Sequence, residues 1–409
     1  VTPSYQAPKG TFDILPDDAV ARERLEAAAR DLFARYGYGR LETPVFEDTE
    51  LFERGVGEST DIVRKEMFTF EDLGGRSLTL RPEGTAPICR AYVEHGMHKL
   101  AQPVKLWYLG PFFRHERPQA GRFRQFSQVG AEAIGSDSPL VDAELIILLD
   151  ELLHGIGVPA LTLKLGSLGS PEARAAYREE LIGFLRAHEG DLAEDVRERI
   201  DANPLRAFDS KDEGTRGVMA GAPTVLERLD KDDAEHFEEV RRLLDQAGIA
   251  YELDGTLVRG LDYYTRTVFA FESERLGAQS EVGGGGRYDR LVEQLGGPPT
   301  PAAGWAAGVD RILLAVGEGA EGAGIDVFVV AEDGRRDRAL ALATELRQAG
   351  LRTDLDLAGR SVKGQMKQAD RLGARRVVIL EADGVQLRDM ESGEQRALDA
   401  ARAVEELKE

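Results

Sequence analysis

The sequence predicts a multidomain α+β protein, on three observations. Through residue 169, short runs of strand-forming residues alternate with amphipathic helices. From Ser170 to Ala247 the pattern is polar and helical throughout. Beyond a Gly/Ala/Glu-rich stretch at Gly317–Gly324, a strand–helix–strand–helix–strand order sets in, as small α/β domains have. A chain of 409 residues is too long for one core, and about two to four domains are expected at that length.

The elements read as follows. Residues 17–36 form a helix, with Leu25, Ala28, Ala29, Leu32 and Tyr36 at helical spacing and Gly37 as its stop. Pro44 sits in an extended stretch. Met67–Phe70, Ser77–Leu80 and Lys105–Leu109 are short strands with turn residues between them. Pro139–Gly155 is a strongly apolar helix and Leu161–Leu165 a strand. The helical stretch that follows is interrupted by Pro204 and Pro223 and reads as an insertion. Strands return at Tyr251–Leu253 and Thr267–Glu272, and a helix is expected at Tyr288–Leu295. After the expected linker come a strand at Val327–Val330, a helix at Arg336–Ala349, a strand at Arg352–Leu357, a helix at Ser361–Leu372 and a strand at Val377–Leu380. The expected domains are 1–169, an insertion at 170–247, 248–316, a linker at 317–325 and 326–409.

Composition narrows the function. With 42% hydrophobic and 31% charged residues, the chain reads as a soluble globular protein. It has no run of 18 apolar residues, and Val1–Leu15 lack the apolar stretch of a signal peptide. A cytoplasmic location with no membrane partner is the expectation. One cysteine, Cys89, excludes an intrachain disulfide. Six scattered histidines and no His-Glu-x-x-His argue against a zinc site, so no metal ligand is assigned. The net charge of −21 does not suit a protein that simply coats nucleic acid. The charge is uneven, however. Glu172–Asp245 holds 12 basic against 20 acidic residues, whereas Lys105–Arg124 holds five basic against one acidic. A local basic patch on an acidic body suits an anionic ligand bound at one place.

The densest signal is Phe112–Phe126, where Arg114, Arg117, Arg122 and Arg124 fall within eleven residues. A hairpin would bring both arginine pairs to one space. Guanidinium forks grip phosphate oxygens, and Phe123 and Phe126 are able to stack on a base. A solvated hairpin with a charged tip explains the same spacing. Arg259-Gly260-Leu261-Asp262-Tyr263-Tyr264-Thr265 sets a charge beside two tyrosines, which in a strand face opposite sides. The alternative is an Arg259–Asp262 surface pair with one buried tyrosine. Gly283–Gly286 either lets backbone approach a ligand or is a flexible loop. It matches neither a dinucleotide fingerprint nor a P-loop. Gly304–Arg311 leads into an apolar helix, Arg311 projecting from one end. Arg81-Pro82-Glu83-Gly84-Thr85 is a polar turn, and a capping turn would look the same. Arg360, Lys363, Lys367 and Arg371 recur at 3, 4, 4 spacing beside an apolar stripe of Val362, Met366 and Ala369. That gives one helix a basic face next to its core face. No Gly-x-Ser-x-Gly occurs.

These segments, in this order, resemble the histidyl-tRNA synthetase family of class II aminoacyl-tRNA synthetases, over nearly the whole chain. The resemblance begins at Pro8–Pro16. Gly37–Arg54, with Pro44, is similar to motif 1, which forms the dimer, Leu106–Gly135 to motif 2 and Ala303–Leu314 to motif 3. Arg259–Thr265 and Gly285–Asp289 resemble segments particular to the histidine enzyme, and Gly359–Lys363 its anticodon-binding domain. The resemblance implies an antiparallel sheet flanked by helices, a homodimer, and ATP-dependent activation of L-histidine with Mg²⁺, followed by transfer to tRNA(His). It implies that Glu83, Gly84, Thr85 and Gln128 surround the ammonium end of histidine. Arg259 binds its carboxylate and the α-phosphate, and Glu132 and Tyr264 read the imidazole beside Tyr263. Arg114, Glu116 and Arg122 bind ATP, Phe126 stacks on adenine, and Arg311 takes the γ-phosphate side. Arg114, Arg259 and Arg311 are then the catalytic set. Arg117 and Gln119 meet the tRNA acceptor end, and Arg360, Lys363 and Lys367 bind tRNA from the C-terminal domain. Three positions depart from the family pattern. Ser127 replaces a frequent histidine, Arg290 a usual glycine, and Val309-Asp310 a Leu-Glu pair. The regulatory subunit of ATP phosphoribosyltransferase resembles the same core, but it lacks the anticodon domain and the ATP-binding arginines that are present here. A non-catalytic nucleic-acid-binding relative would show gaps in the amino-acid pocket, and the residues above leave none.

Overall fold

The structure is a computed structural model and describes residues 5–57, 60–202, 204–257, 259–277, 280–317, 324–382, 384–399 and 402–408. It divides into two compact units, Val1–Gly319 and Ala320–Glu409. Most of the expected linker lies outside the described residues.

The strands of the first unit are, in chain order, Gly39–Arg40 (β1), Phe46–Asp48 (β2), Phe68–Glu71 (β3), Ser77–Leu80 (β4), Val104–Phe113 (β5), Gln125–Ile134 (β6), Leu161–Ser167 (β7), Glu252–Leu253 (β8), Thr265–Ser273 (β9), Glu281–Arg287 (β10) and Ala302–Gly308 (β11). Eight of them make one sheet in the order β1-β5-β6-β11-β10-β9-β7-β8. Its six central strands are all antiparallel, and only the two-residue edges β1 and β8 run parallel to their neighbours. A small antiparallel sheet, β2-β4-β3, stands apart.

Alternation along β5 sorts the two faces of the large sheet. Trp107 joins the main core, where Phe33 of the Pro16–Arg35 helix stacks on it at 4.8 Å. The Pro139–Ile156 helix covers the same core with Leu145, Leu149 and Leu152. Ser138 caps its start through Leu140 N, and Gly157, at φ 89°, ends it. Tyr108, the next residue of β5, faces a second cluster with Phe112, Tyr263, Tyr264 and Tyr288.

The glycine run is a strand rather than a flexible loop. Gly283–Gly286 lies inside β10 and is buried between β9 and β11. Absent side chains are what let it fit, because a Cβ on Gly285 would strike the Gly304 carbonyl. The helix expected at Tyr288–Leu295 is one turn, Leu291–Gln294, because Tyr288 and Asp289 are held by sheet contacts. Between β7 and β8 the chain is helical, at Pro171–Ala187, Glu194–Arg197, Glu213–Met219 and Lys231–Ala247. Tyr177, Leu181, Leu185 and Ile200 give this segment its own core, while Phe237, Val240 and Leu244 of its last helix join the main one.

The second unit orders its strands β13-β12-β14-β15-β16: Val327–Ala331 (β12), Thr353–Leu355 (β13), Arg376–Leu380 (β14), Val385–Asp389 (β15) and Gln395–Leu398 (β16). Three are parallel, with helices Arg336–Gln348 and Val362–Arg371 as crossovers, and the last two form an antiparallel extension. That extension and the Ala403–Lys408 helix go beyond the sequence expectation. β16 is mostly exposed, so it carries little apolar pattern to read. Among the described residues, no helix is long and apolar enough to cross a membrane.

Candidate active site

The local sequence shapes the wall of the site. Glu83 does cap a helix. Its carboxylate accepts from Thr85 N (2.7 Å) and Ala86 N (2.9 Å), the first free amides of the Thr85–Glu94 helix. The same carboxylate is 4% exposed and lines a cavity of about 650 Å³, so capping and site roles coincide. Gly84 must lack a side chain, since a Cβ there would lie 2.6 Å from the Tyr108 ring. The β5–β6 hairpin, paired from Val104↔Ile134 to Phe113↔Gln125, carries the arginine loop. Arg114 donates to Pro82 O at 2.8 Å and lies over the Phe126 ring at 5.4 Å. Glu116 sits between Arg114 (3.9 Å) and Arg122 (3.2 Å).

Residues 259–264 are a turn leading into β9, not a strand. Tyr263 and Tyr264 therefore do not point apart. Their rings are 4.7 Å apart and both face the cavity. The half-buried Arg259 lies over the Tyr264 ring at 5.8 Å and pairs with Glu281 at 2.7 Å, which replaces the surface pair considered with Asp262. Burial works against the charge of Arg259, but Glu281 and Tyr264 more than offset it and raise its pKa further. Burial lowers the Arg311 pKa, and Arg122 lowers it further. Two cations crowded into one half-buried wall favour an anionic ligand between them.

Thus Glu83, Gly84, Thr85, Arg114, Glu116, Arg122, Phe126, Gln128, Arg259, Tyr263, Tyr264 and Arg311 all line one cavity. Glu132 does not. It is fully buried behind Thr85, whose hydroxyl donates to it at 2.9 Å, and the Tyr288 hydroxyl donates to its other oxygen. Gly304 faces it across β6–β11, and a Cβ there would strike the carboxyl. Burial pushes the Glu132 pKa up to about 8. Arg117 and Gln119 are exposed on the hairpin loop, outside the cavity. In the second unit Lys363 and Lys367 are exposed, while Arg360 is held by Asp356 at 2.7 Å.

The roles of three residues escaped the sequence reading. Asp310 pairs with Arg22 and accepts Ser127 N at 3.1 Å, so the two departures at 127 and 310 meet each other. Tyr288 is the second partner of Glu132. Gln365 locks its helix to β12 through both Ala331 N and Ala331 O at 2.9 Å. Arg290 has an ordinary φ of −107°, so that position needs no glycine. Three buried polar atoms at the cavity have no hydrogen-bond partner among the described residues. They are Gln128 Oε1, Arg259 Nε and the Tyr108 hydroxyl. An acceptor and a donor left over in one wall match a ligand that carries both an ammonium and a carboxylate.

An antiparallel sheet bearing an arginine hairpin, an arginine (Arg311) in the first turn of the Val309–Val316 helix that follows β11, and a helix-capping glutamate around one cavity defines the catalytic domain of a class II aminoacyl-tRNA synthetase. The family model for histidyl-tRNA synthetase matches residues 10–312, and that for the anticodon binding domain matches residues 325–409. The histidine–tRNA ligase of Rubrobacter xylanophilus is 52% identical over 96% of both chains. That of Thermosynechococcus vestitus is 48% identical over 95% of this chain and 93% of its own. The apo S. aureus histidyl-tRNA synthetase superposes with a TM-score of 0.82 at 36% identity, over 99% of this chain and 100% of its own. The Bacillus halodurans ATP phosphoribosyltransferase regulatory subunit/histidyl-tRNA synthetase shares the fold, with a TM-score of 0.69 at 23% identity over 92% and 98%. The chain belongs to the histidyl-tRNA synthetase family.

Proposed function

We propose that the cavity aligns histidine and ATP for adenylate formation, within the reaction of this family, the ATP-dependent charging of tRNA(His) with histidine. The observation that carries the reading is one cavity lined by Glu83, Tyr263 and Tyr264 and by four arginines, Arg114, Arg122, Arg259 and Arg311, with Arg259 over the Tyr264 ring. Attack of a carboxylate on the α-phosphorus needs no protein base, because the nucleophile is already anionic. Alignment and charge repulsion make the barrier, and arginines lower both. Glu83, Thr85 and Gln128 receive the ammonium group, and Gln128 Oε1 is an acceptor with no partner among the described residues. Arg259 bridges the carboxylate and the α-phosphate. Arg114, Glu116 and Arg122 hold ATP over Phe126, and Arg311 takes the γ-phosphate side. The test is pyrophosphate exchange into ATP with each of the twenty amino acids, without tRNA. Exchange with histidine alone is expected. No exchange, or equal exchange with all, would reject the reading.

Glu132 and Tyr264 read the imidazole, an acceptor and a donor for its two nitrogens. A ring N–H that displaces the Thr85 hydroxyl reaches Glu132, and it needs the ionised carboxylate. The free protein holds that group protonated below about 8. Therefore kcat/KM for histidine should rise with pH, reach half its plateau near 8 and level off above that, with the limb lost in Glu132→Gln. A pH profile unchanged by that substitution would remove Glu132 from recognition.

Mg²⁺ accompanies ATP in this reading. Among the described residues no group of three or more His, Cys, Asp or Glu side chains is placed to hold a metal. The proposed organisation is a core of 1–169 and 248–316, a helical insertion at 170–247, a linker at 317–325 and a tRNA-reading domain at 326–409. Arg117 and Gln119 meet the acceptor end, and Arg360, Lys363 and Lys367 bind tRNA phosphates. The protein acts in the cytoplasm as a homodimer. Support for the dimer comes from the small sheet beside Pro44, where Val45, Phe46 and Phe70 are all more than a third exposed and the two phenyl rings lie 6.3 Å apart. Light scattering should give twice the chain mass of 44.8 kDa, and a monomer at micromolar concentration would count against it.

A further inference from the structure

The helical segment between β7 and β8 grips the cavity wall from behind. Arg174, in its first helix, donates to the Tyr264 carbonyl at 3.3 Å. Glu172, two residues earlier, pairs with Arg290. Asp233, in its last helix and 1% exposed, pairs with Arg266 at 2.9 Å and accepts Ser170 N at 2.5 Å. Both ends of the segment thus converge on residues 264–266.

That stretch of backbone is strained. Arg266 has φ 46°, a left-handed conformation uncommon in a non-glycine residue. Its amide donates to Gly169 O at 2.8 Å, and its carbonyl accepts Leu168 N at 2.7 Å. The strained residue lies two positions after Tyr264 and one after Thr265, whose hydroxyl meets Asp289 at 3.2 Å. Such a conformation persists only where surrounding contacts over-determine it. Burial lowers the Arg174 pKa, and Asp262 on the same turn opposes this. The guanidinium is therefore kept in a poorly solvated place whose nearest electrostatic support is the turn it holds.

We infer that Arg174 and Asp233 are positioning residues that fix the Tyr264 backbone, so that the helical segment takes part in amino-acid selection. The inference rests on the placement of Tyr264 against the substrate ring. Neither residue lines the cavity, so each acts through Tyr264 rather than on the substrate. A shift of the helical segment moves Tyr264 while the ATP end, held by the β5–β6 hairpin, stays in place.

The experiment is histidine-dependent pyrophosphate exchange on the full chain, for Arg174→Ala, Arg174→Lys, Asp233→Asn and Tyr264→Phe. Arg174→Ala should raise KM for histidine by about ten-fold, within the range that small misplacements reach, with KM for ATP unchanged. Arg174→Lys retains a donor for the carbonyl and should recover most of the loss. Asp233→Asn keeps an acceptor for Ser170 N but loses the charge facing Arg266. It should give the same histidine-selective rise, and it serves if Arg174→Ala does not fold. Unchanged KM for histidine in both Arg174→Ala and Asp233→Asn, with Tyr264→Phe impaired, would overturn this inference alone. A normal Tyr264→Phe would overturn the placement of Tyr264 and the inference with it. Equal rises in both KM values would mean a general structural role and would also overturn it.

Discussion

Arg259→Ala is expected to slow adenylate formation by about 10²–10³-fold, the usual loss when one preorganised charge is withdrawn from a transition state. The size follows from where the guanidinium lies. It lines the cavity, it faces the ring of Tyr264, and its buried Nε has no partner among the described residues. One N–H is taken by Glu281, so the remaining fork faces the cavity. Negative charge builds on the α-phosphate as the carboxylate approaches, and a buried donor already in place needs no reorganisation. Stability should change little, because Glu281 is 45% exposed and water can take over its charge once its partner is gone. Arg259→Lys keeps the charge but not the fork, and it should recover only a small part of the rate. Single-turnover formation of the adenylate measures this directly. A near-normal rate in Arg259→Ala, with the fold intact by circular dichroism, would remove Arg259 from the chemistry.

What the sequence reveals depends on whether the information is local. The Pro139–Ile156 helix was legible because its N-cap, its apolar stripe and its terminal glycine all lie within a short stretch. The strands of the large sheet were legible as runs, but their order was not. Where β6 pairs with β11, Gly304 makes room for the Glu132 carboxyl, a fact that joins residues far apart in the chain. The glycine run shows the same limit. Four glycines read locally as a loop, and only the crowding by Trp305 and Phe269 from neighbouring strands explains a buried strand without side chains. Period-two reasoning misled at Tyr263 and Tyr264, since a turn ends where β9 begins and turns both rings inward. Within the candidate site, arginines were easy to find because their density is unusual. Tyr288 and Asp310 were not, because an isolated tyrosine or aspartate carries no signal until its partner is placed beside it.

Ending the chain near Gly324 should separate the two reactions. The first unit has its own cores, built on Phe33, Trp107 and Leu149 and on Tyr108, Tyr263 and Tyr288. The second has separate ones, built on Val327, Val329 and Leu346 and on Phe328, Ala369 and Val377. Among the described residues neither set of cores includes a residue of the other unit, so each has the packing to fold without the other. Every cavity residue lies at or before Arg311. Histidine-dependent pyrophosphate exchange, which needs no tRNA, should therefore survive the truncation in good part. Charging should fall by about 10²-fold or more, the effect of removing several phosphate contacts from one binding surface. The contacts differ in weight. Lys363 and Lys367 are exposed on one helix face, as is Arg371. Arg360 already pairs with Asp356 at 2.7 Å and lowers that carboxylate's pKa, so it must exchange one anion for another to bind phosphate. The salt dependence of tRNA binding should accordingly flatten by about three units of slope, one for each unpaired cation, rather than four. Lys363→Ala with Lys367→Ala in the full chain should flatten it by about two of those units and leave exchange untouched. Equal fractional losses of exchange and charging in the truncated protein, with its oligomeric state unchanged, would make the second unit a structural support rather than a reader of tRNA.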